Sequence, residues 1–213
     1  MKIGILGCGR MGGKLGVLFA HAGHEVIFSY SRRQAKLDDL THQAGARAST
    51  GTPAEAANGA DAILLAVYWS QLEDVLRQAG DLSGKVVLTC CVPLDPSDTQ
   101  LVIAHMQSGA EALARRIPQA KVVAAFQTVP SEAFFDVFAA RGRPERPNVV
   151  YCSNDAEARA VAASLIGDVG FDPVDAGPLH VARYIEPFAM LTAQLAYAPG
   201  VNPKLTYRFE RYG

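Results

Sequence analysis

Short apolar runs alternate with amphipathic helical segments along most of this chain. The apolar runs are the predicted strands, at residues 2–6, 25–30, 61–67, 85–91, 121–126 and 148–152. Most of these runs are continuous, which is typical of strands whose two faces are both covered by helices. Strand–helix–strand alternation of this kind predicts an α/β fold with a doubly wound, mostly parallel sheet.

Capping patterns predict where several helices begin. The segment Thr52–Glu55 has the order of a capping box, with proline at the first helical position. Either Ser153 or Asn154 is predicted to start a helix that runs through Ile166. A last helical stretch is predicted at residues 181–197. Its apolar surface suits packing on the sheet edge or on a second copy of the chain.

Length and composition predict an ordinary globular protein. The chain has 213 residues, of which 49% are apolar and 19% charged, so a large core can be buried and disorder is excluded as the dominant state. We expect one domain over residues 1–213, with residues 179–213 as a C-terminal helical extension. Twenty basic residues against twenty-one acidic ones argue against nucleic acid or a membrane surface as a partner.

The four cysteines form no C-x-x-C pair and have no histidine at zinc-ligand spacing, so we expect no metal site. They are also too few for a disulfide scaffold. No apolar run reaches the length of a membrane span, and the first strand begins at Lys2 with no signal peptide ahead of it. These features favour a cytoplasmic location.

The strongest chemical signal is a glycine-rich turn, Gly7-Cys8-Gly9-Arg10-Met11-Gly12, between the first strand and the first helix. In such a turn Gly7 permits the tight bend and Gly9 lets the backbone approach a pyrophosphate. Gly12 allows close packing of helix and strand. Free N–H groups at the helix N-terminus then face the phosphate oxygens. The sequence therefore predicts a dinucleotide site.

The end of the second strand indicates which dinucleotide. An NAD site usually carries Asp or Glu there, to accept a hydrogen bond from the ribose 2′-hydroxyl. This chain has Ser31, Arg32 and Arg33 instead, followed by Lys36, with no acid among them. Cations at a helix N-terminus oppose the helix dipole, so their presence favours a bound anion. We therefore predict NADP(H), with its 2′-phosphate held by charge-assisted hydrogen bonds.

Several motifs together resemble F420-dependent NADP oxidoreductases. They are the glycine-rich turn, the Ser31–Lys36 cluster, Ala66-Val67-Tyr68-Trp69, Ala125-Phe126-Gln127-Thr128-Val129-Pro130, and Asp175-Ala176-Gly177-Pro178-Leu179 with Arg183 and Glu186. The resemblance runs from Met1 to about Ala196. It implies a Rossmann-type NADPH-binding domain, usually dimeric, that moves a hydride between the nicotinamide and a deazaflavin. Proteins of the same fold form the cytoplasmic NADPH-binding part of membrane ferric reductases.

The resemblance also implies site residues. The pyrophosphate would lie against Cys8, Gly9, Arg10 and Met11, and the 2′-phosphate against Ser31, Arg32 and Lys36. The adenosine ribose and diphosphate would pass Ala66, Val67 and Tyr68. Cys91, Val92 and Pro93 would approach the nicotinamide, and Gln127 and Thr128 would border the reaction pocket. The chain departs from the family pattern at Tyr68, Val92 and Gln127, all on the hydride-transfer side.

Three side-chain groups have two interpretations each. Tyr68 and Trp69 could stack on a planar ring, or Trp69 could be core. Phe134, Phe135 and Phe138 could cover an acceptor ring, although their helical spacing favours packing. The arginines of segment 141–147 could hold an anionic substrate, although a solvated connector is favoured.

Hydride transfer between two bound rings needs orientation and exclusion of water, so we expect no acid–base dyad and assign no catalytic residue. The predicted function is an NADPH-dependent oxidoreductase, a homodimer whose small-molecule partner is coenzyme F420, a flavin or another redox acceptor. The alternative is a non-catalytic NADP(H)-binding sensor or regulatory subunit. An imine-reducing or pyrroline-carboxylate-reductase-like enzyme shares the opening turn, but such enzymes add a long helical dimerisation region.

Overall fold

The computed structural model describes all residues, 1–213, and contains eight strands. They are β1 (Lys2–Leu6), β2 (Glu25–Ser29), β3 (Ala48–Thr50), β4 (Ala62–Leu65), β5 (Val86–Thr89), β6 (Lys121–Ala124), β7 (Asn148–Ser153) and β8 (Asp172–Asp175). They form one sheet in the order β3-β2-β1-β4-β5-β6-β7-β8. The strands from β3 to β6 are mutually parallel, β7 is antiparallel to β6, and β8 is parallel to β7. The predicted doubly wound, mostly parallel sheet is confirmed.

Eight helices connect the strands. They are α1 (Arg10–His21), α2 (Gln34–Ala44), α3 (Pro53–Ala57), α4 (Leu72–Ala79), α5 (Gly109–Arg116), α6 (Phe134–Ala139), α7 (Ala156–Asp168) and α8 (Ala182–Ala196). Single 3₁₀ turns lead into α4, α6 and α8. None of the helices has the length and apolar character needed to cross a membrane.

The sheet separates two apolar cores. Alternating residues of β4 enter different cores: Ala62 and Leu64 face one, while Ile63 and Leu65 face the other. All four side chains are buried. Because both faces are covered, the strand needs apolar residues at every position, which explains its continuous apolar run.

The two edge strands, β3 and β8, were not predicted from the sequence. β3 has one half-buried residue followed by two exposed ones, and β8 has the sequence Asp-Pro-Val-Asp. Neither carries an apolar run. Pro173 is tolerated in β8 because an edge strand can lack one ladder hydrogen bond.

The predicted start of α7 was wrong by one or two residues. Asp155 caps this helix, because its carboxylate accepts from the Ala158 N–H at 2.9 Å. Ser153 ends β7. The Asn154 side chain instead accepts from the Leu179 N–H, also at 2.9 Å. The loop after β7 is thus tied to the segment before α8.

The C-terminal extension is helical only in its first half. α8 ends at Ala196, and residues 198–213 contain no helix or strand. This final segment returns to the sheet beside β7. The Asn148 N–H donates to the Tyr207 carbonyl at 2.8 Å, and the Phe209 N–H donates to Asn148 Oδ1 at 2.6 Å.

Candidate functional site

The predicted site residues follow five neighbouring strands at one edge of the sheet. In spatial order, the segments are Ser31–Lys36 after β2, Gly7–Gly12 after β1, Ala66–Tyr68 after β4, Cys91–Pro93 after β5 and Gln127–Thr128 after β6. These strands are parallel, so their carboxyl ends share this edge. Four strand spacings separate the first segment from the last, about 19 Å at about 4.8 Å each. The strand order reverses at β1, and open α/β sheets bind their ligands at such a switch point. The glycine turn lies there.

The three glycines of the turn have different surroundings. Gly7 has φ +109°, and a Cβ added there would lie 2.4 Å from the Ala66 carbonyl oxygen. A Cβ on Gly12 would lie 2.0 Å from the carbonyl oxygen of Gly7. No atom lies within 4 Å of a Cβ built on Gly9. Gly7 and Gly12 are therefore required by the protein's own packing, whereas the space beside Gly9 is open to a ligand.

The N-terminus of α1 adjoins this open space. Gly9 is the N-cap residue, no side chain caps the helix, and its first turn contains no acidic residue. Gly13 is the first residue whose N–H closes a helical turn, onto the Gly9 carbonyl at 3.1 Å. The Cys8 side chain points inward, where its thiol donates to the Ser29 carbonyl at 3.2 Å, and burial raises its pKa to about 12. Only the backbone of Cys8 can therefore meet a ligand.

The basic cluster lies at the next strand end. The Ser31 hydroxyl donates to the Arg33 carbonyl at 3.1 Å, which fixes the bend between β2 and α2. Arg32, Arg33 and Lys36 form no ion pair with any carboxylate of the chain. The first turn of α2 carries no acid and no side-chain cap. Three cations without an ion-pair partner beside a helix N-terminus give this corner a positive potential.

The segment after β4 passes directly over the glycine turn. The Ala66 N–H donates to the Leu6 carbonyl at 2.9 Å, and Ala66 and Val67 are half-buried. Tyr68 is 65% exposed. Trp69, in contrast, packs on one of the cores, with the Arg116 guanidinium 5.5 Å from its ring centroid. Of this pair, the Tyr68 side chain can contact a ligand, whereas the Trp69 side chain mainly packs on the core.

The segment after β6 is bent by a buried residue in a left-handed conformation. Phe126 has φ +64° and no exposed surface, and its ring packs edge-on against Phe19 and Phe134. A bulky residue at such a φ is strained, and surrounding contacts must hold it there. Tyr30, directly after β2, also has a positive φ. The segments after β2 and β6 therefore each contain a non-glycine residue in the left-handed region.

Gln127 and Thr128 are held by partners distant in the sequence. The Gln127 amide nitrogen donates to the Cys91 carbonyl at 2.9 Å and so joins the ends of β6 and β5. The Thr128 hydroxyl lies 2.6 Å from the Tyr207 hydroxyl, which also accepts from the Val150 N–H at 3.3 Å. The C-terminal segment therefore supports this wall of the site. Sequence reasoning missed Tyr207, because nothing local to it indicates a partner 79 residues away.

Glu186 is a second functional candidate whose position the sequence did not predict. Its carboxylate is buried and accepts from the N–H groups of Gly109 and Ala110, at 2.8 and 3.0 Å, at the start of α5. A Cβ on Gly109 would lie 2.9 Å from Pro93, so this helix end adjoins the segment after β5. The neighbouring Arg183 pairs with both carboxylate oxygens of Glu111, at 2.9 and 2.6 Å. The late Arg-x-x-Glu motif thus joins α8 to α5.

Burial raises the pKa of Glu186 from 4.5 to about 7, against the lowering effect of the two N–H donors. The folded chain therefore keeps a proton that the unfolded chain releases between about pH 4.5 and 7. Because the unfolded state binds fewer protons in this interval, the free energy of unfolding falls as pH rises through it.

The remaining candidate groups have structural partners. Phe134 is fully buried, so it cannot cover an acceptor ring, whereas Phe135 is exposed. In segment 141–147, Arg141 stacks on Phe138 and Arg146 pairs with Asp172. Burial raises the pKa values of Cys90 and Cys91, so neither is a reactive thiolate at neutral pH. No three His, Cys, Asp or Glu side chains are grouped so that they could hold a metal ion.

Comparisons with known proteins agree with this architecture. Residues 2–93 match the family model described as NADP oxidoreductase, coenzyme F420-dependent. The metalloreductase STEAP3 of Rattus norvegicus is 28% identical over 185 residues, which cover 87% of this chain and 36% of that protein. The chain thus spans about a third of the length of the curated relatives it matches.

Solved structures of other proteins also show this fold. A protein from Arthrobacter sp. FB24, provisionally identified as an F420-dependent NADP reductase, is 27% identical and superposes with a TM-score of 0.85, covering 99% of this chain and all of the other. A reductive aminase of Aspergillus terreus, solved with NADPH and ethyl-5-oxohexanoate, shares the fold at 20% identity and a TM-score of 0.66, covering 92% of this chain and 61% of the other. The predicted resemblance to F420-dependent NADP oxidoreductases is confirmed. The chain has a Rossmann-type fold and is similar to NADP-dependent oxidoreductases.

Proposed function

We propose that this protein binds NADP(H) along the carboxyl edge of its sheet and transfers a hydride between the nicotinamide and a flavin-like acceptor such as coenzyme F420. One observation carries the proposal: Arg32, Arg33 and Lys36 have no carboxylate partner and lie one strand away from an uncapped, glycine-flanked helix N-terminus. A 2′-phosphate supplies the missing negative charge. A pyrophosphate supplies the acceptors for the N–H groups of the turn.

Each strand end has its own part in the proposed site. The backbone of Gly7–Gly12 holds the pyrophosphate, and Ser31 with the three cations holds the 2′-phosphate. Ala66, Val67 and Tyr68 pass the adenosine ribose. Cys91, Val92, Pro93, Gln127 and Thr128 then surround the nicotinamide end. This order follows the spatial order of the strands.

The bound nicotinamide supplies the hydride, so the protein has to orient two rings and exclude water. Cys91, Pro93 and Thr128 are buried at this end of the site, so packing against the protein fixes their positions. The exposed Tyr68 ring is free to stack on a planar group. The site contains no paired acid and base, and this chemistry needs none.

The acceptor is tested with a panel. The purified protein is mixed with NADPH and with oxidised F420, flavins and ferric chelates in turn, the last because STEAP3 is a metalloreductase. Loss of the reduced-nicotinamide absorbance is measured. We expect turnover with F420 or a flavin. Tight NADPH binding without turnover on any acceptor would contradict the enzymatic proposal and favour a sensor.

We also propose that the protein is a cytoplasmic homodimer that uses the outer face of α8. Tyr184, Leu191 and Leu195 of this helix are 71%, 53% and 57% exposed, an unusual amount of apolar surface for one helix. Leu191→Asp should shift the mass measured by sedimentation from dimer to monomer. A wild-type monomer would refute this part of the proposal.

A further inference from the structure

One polar atom of the candidate site has no hydrogen-bond partner. Gln127 Oε1 is fully buried, and it is the only buried side-chain nitrogen or oxygen in the protein without a partner. Burying an acceptor without a donor costs free energy, so native proteins seldom leave one unpaired. This single exception, at the carboxyl edge of the sheet, is an acceptor for which the chain itself supplies no donor.

The orientation of this amide is fixed by its other contact. The Gln127 amide nitrogen donates to the Cys91 carbonyl at 2.9 Å. A backbone carbonyl only accepts hydrogen bonds, so rotating the amide by half a turn would place two oxygen atoms against each other. Oε1 is therefore held as an acceptor, directed away from Cys91.

The backbone around Gln127 is also held rigidly. Phe126 precedes it in a left-handed conformation, locked by aromatic packing on Phe19 and Phe134. A few residues further on, Lys14 of α1 donates to the carbonyl and hydroxyl of Ser131, at 3.0 and 3.1 Å. The acceptor is thus presented in one position before any ligand arrives, as a selective site requires.

We infer that Gln127 Oε1 accepts a hydrogen bond from the carboxamide N–H of the nicotinamide, which makes Gln127 a residue that selects for this group. The inference rests on the proposed function. With the 2′-phosphate at the end of β2 and the pyrophosphate at the end of β1, the nicotinamide lies near the ends of β5 and β6, which Gln127 joins. The carboxamide carries the only N–H donors on the nicotinamide ring.

The test compares NADP⁺ with its 3-acetylpyridine analogue, in which a methyl ketone replaces the carboxamide and removes both N–H donors. Dissociation constants are measured by calorimetry for the wild type and for Gln127→Met, which keeps the side-chain length but has no oxygen. The wild type should bind NADP⁺ about threefold to tenfold more tightly than the analogue, the usual range for one neutral hydrogen bond. In Gln127→Met the two ligands should bind alike.

Two controls separate this effect from general damage. Gln119→Met makes the same change at an exposed residue before β6, at the opposite edge of the sheet, and should keep the wild-type ratio. Adenosine 2′,5′-bisphosphate lacks the nicotinamide, so its affinity should be the same in wild type and Gln127→Met if the variant is folded.

The outcomes are distinguishable. If the wild type binds NADP⁺ and the bisphosphate but does not distinguish the analogue, the inference is wrong and the proposed function stands. The same holds if Gln127→Met keeps the full preference. If the wild type binds none of the three compounds, the proposed function itself fails, and the inference fails with it. If Gln127→Met does not fold, the ratio of the wild-type dissociation constants for NADP⁺ and the analogue still tests the inference.

Discussion

Arg32→Asp is the most informative perturbation of the proposed cofactor site. Arg32 is exposed, lies in the short segment between β2 and α2 and has no carboxylate partner, so its replacement breaks no ion pair of the folded protein. The change removes a guanidinium from the 2′-phosphate of NADPH and puts a carboxylate in its place. That carboxylate can instead accept from the 2′-hydroxyl of NADH, as in NAD-specific sites.

The size of the effect follows from the charges involved. Losing one charge-assisted hydrogen bond to the phosphate costs about 1.5–3 kcal/mol. Repulsion between the new carboxylate and the phosphate adds about 1 kcal/mol at a solvent-exposed separation of about 4 Å. The total, about 2.5–4 kcal/mol, corresponds to a loss of NADPH affinity of about 60-fold to 700-fold. NADH affinity should be unchanged or improved.

Calorimetric titration with NADPH and NADH measures both affinities. Arg47→Asp is the matched control, because Arg47 is an exposed arginine near the amino end of β3 and the same charge change there lies far from the proposed phosphate. It should leave both affinities within about twofold of the wild type, given screening over distances beyond about 10 Å. If Arg32→Asp binds NADPH as the wild type does, Arg32 has no part in a phosphate site.

Three further perturbations test other parts of the account. Gly9→Ala should leave the melting temperature unchanged, because its Cβ meets no atom, but should weaken NADPH binding about tenfold or more by blocking the N–H groups. Gly12→Ala should lower the melting temperature instead, since its Cβ would lie 2.0 Å from a backbone oxygen. Equal melting temperatures for the two variants would contradict this packing. Glu186→Gln should flatten the fall in the free energy of unfolding between about pH 4.5 and 7, measured by urea denaturation, and a slope equal to that of the wild type would show that this carboxyl does not hold the proton. Tyr207→Phe should lower the free energy of unfolding by about 1–2 kcal/mol by removing two hydrogen bonds. Tyr212→Phe, at a fully exposed residue, should have no effect. Equal free energies of unfolding for the two variants would refute the supporting role of the C-terminal segment.

The sequence predicts those parts of the fold whose signal is local. The central strands are recognisable because both faces are buried, and α3 because Thr52 and Glu55 form a reciprocal capping box. β3 and β8 are short edge strands, and their pairing depends on neighbours rather than on their own residues. Their sequences therefore carry little signal.

The same distinction applies to the candidate site. The glycine turn and the basic cluster each lie within a few consecutive residues, so spacing alone indicates a phosphate site. The contacts of Gln127, Glu186 and Tyr207 join residues 36 to 79 positions apart. Such contacts exist only in the folded chain, where elements distant in the sequence meet, so no local pattern predicts them.

The central claim is that the corner formed by Ser31, Arg32, Arg33 and Lys36 binds the 2′-phosphate of NADP(H). Its most direct test is a calorimetric comparison of NADPH and NADH on the unaltered protein in the same buffer. We expect NADPH to bind about tenfold or more tightly, a difference of about 1.4 kcal/mol or greater. Equal affinities for the two dinucleotides would contradict the claim.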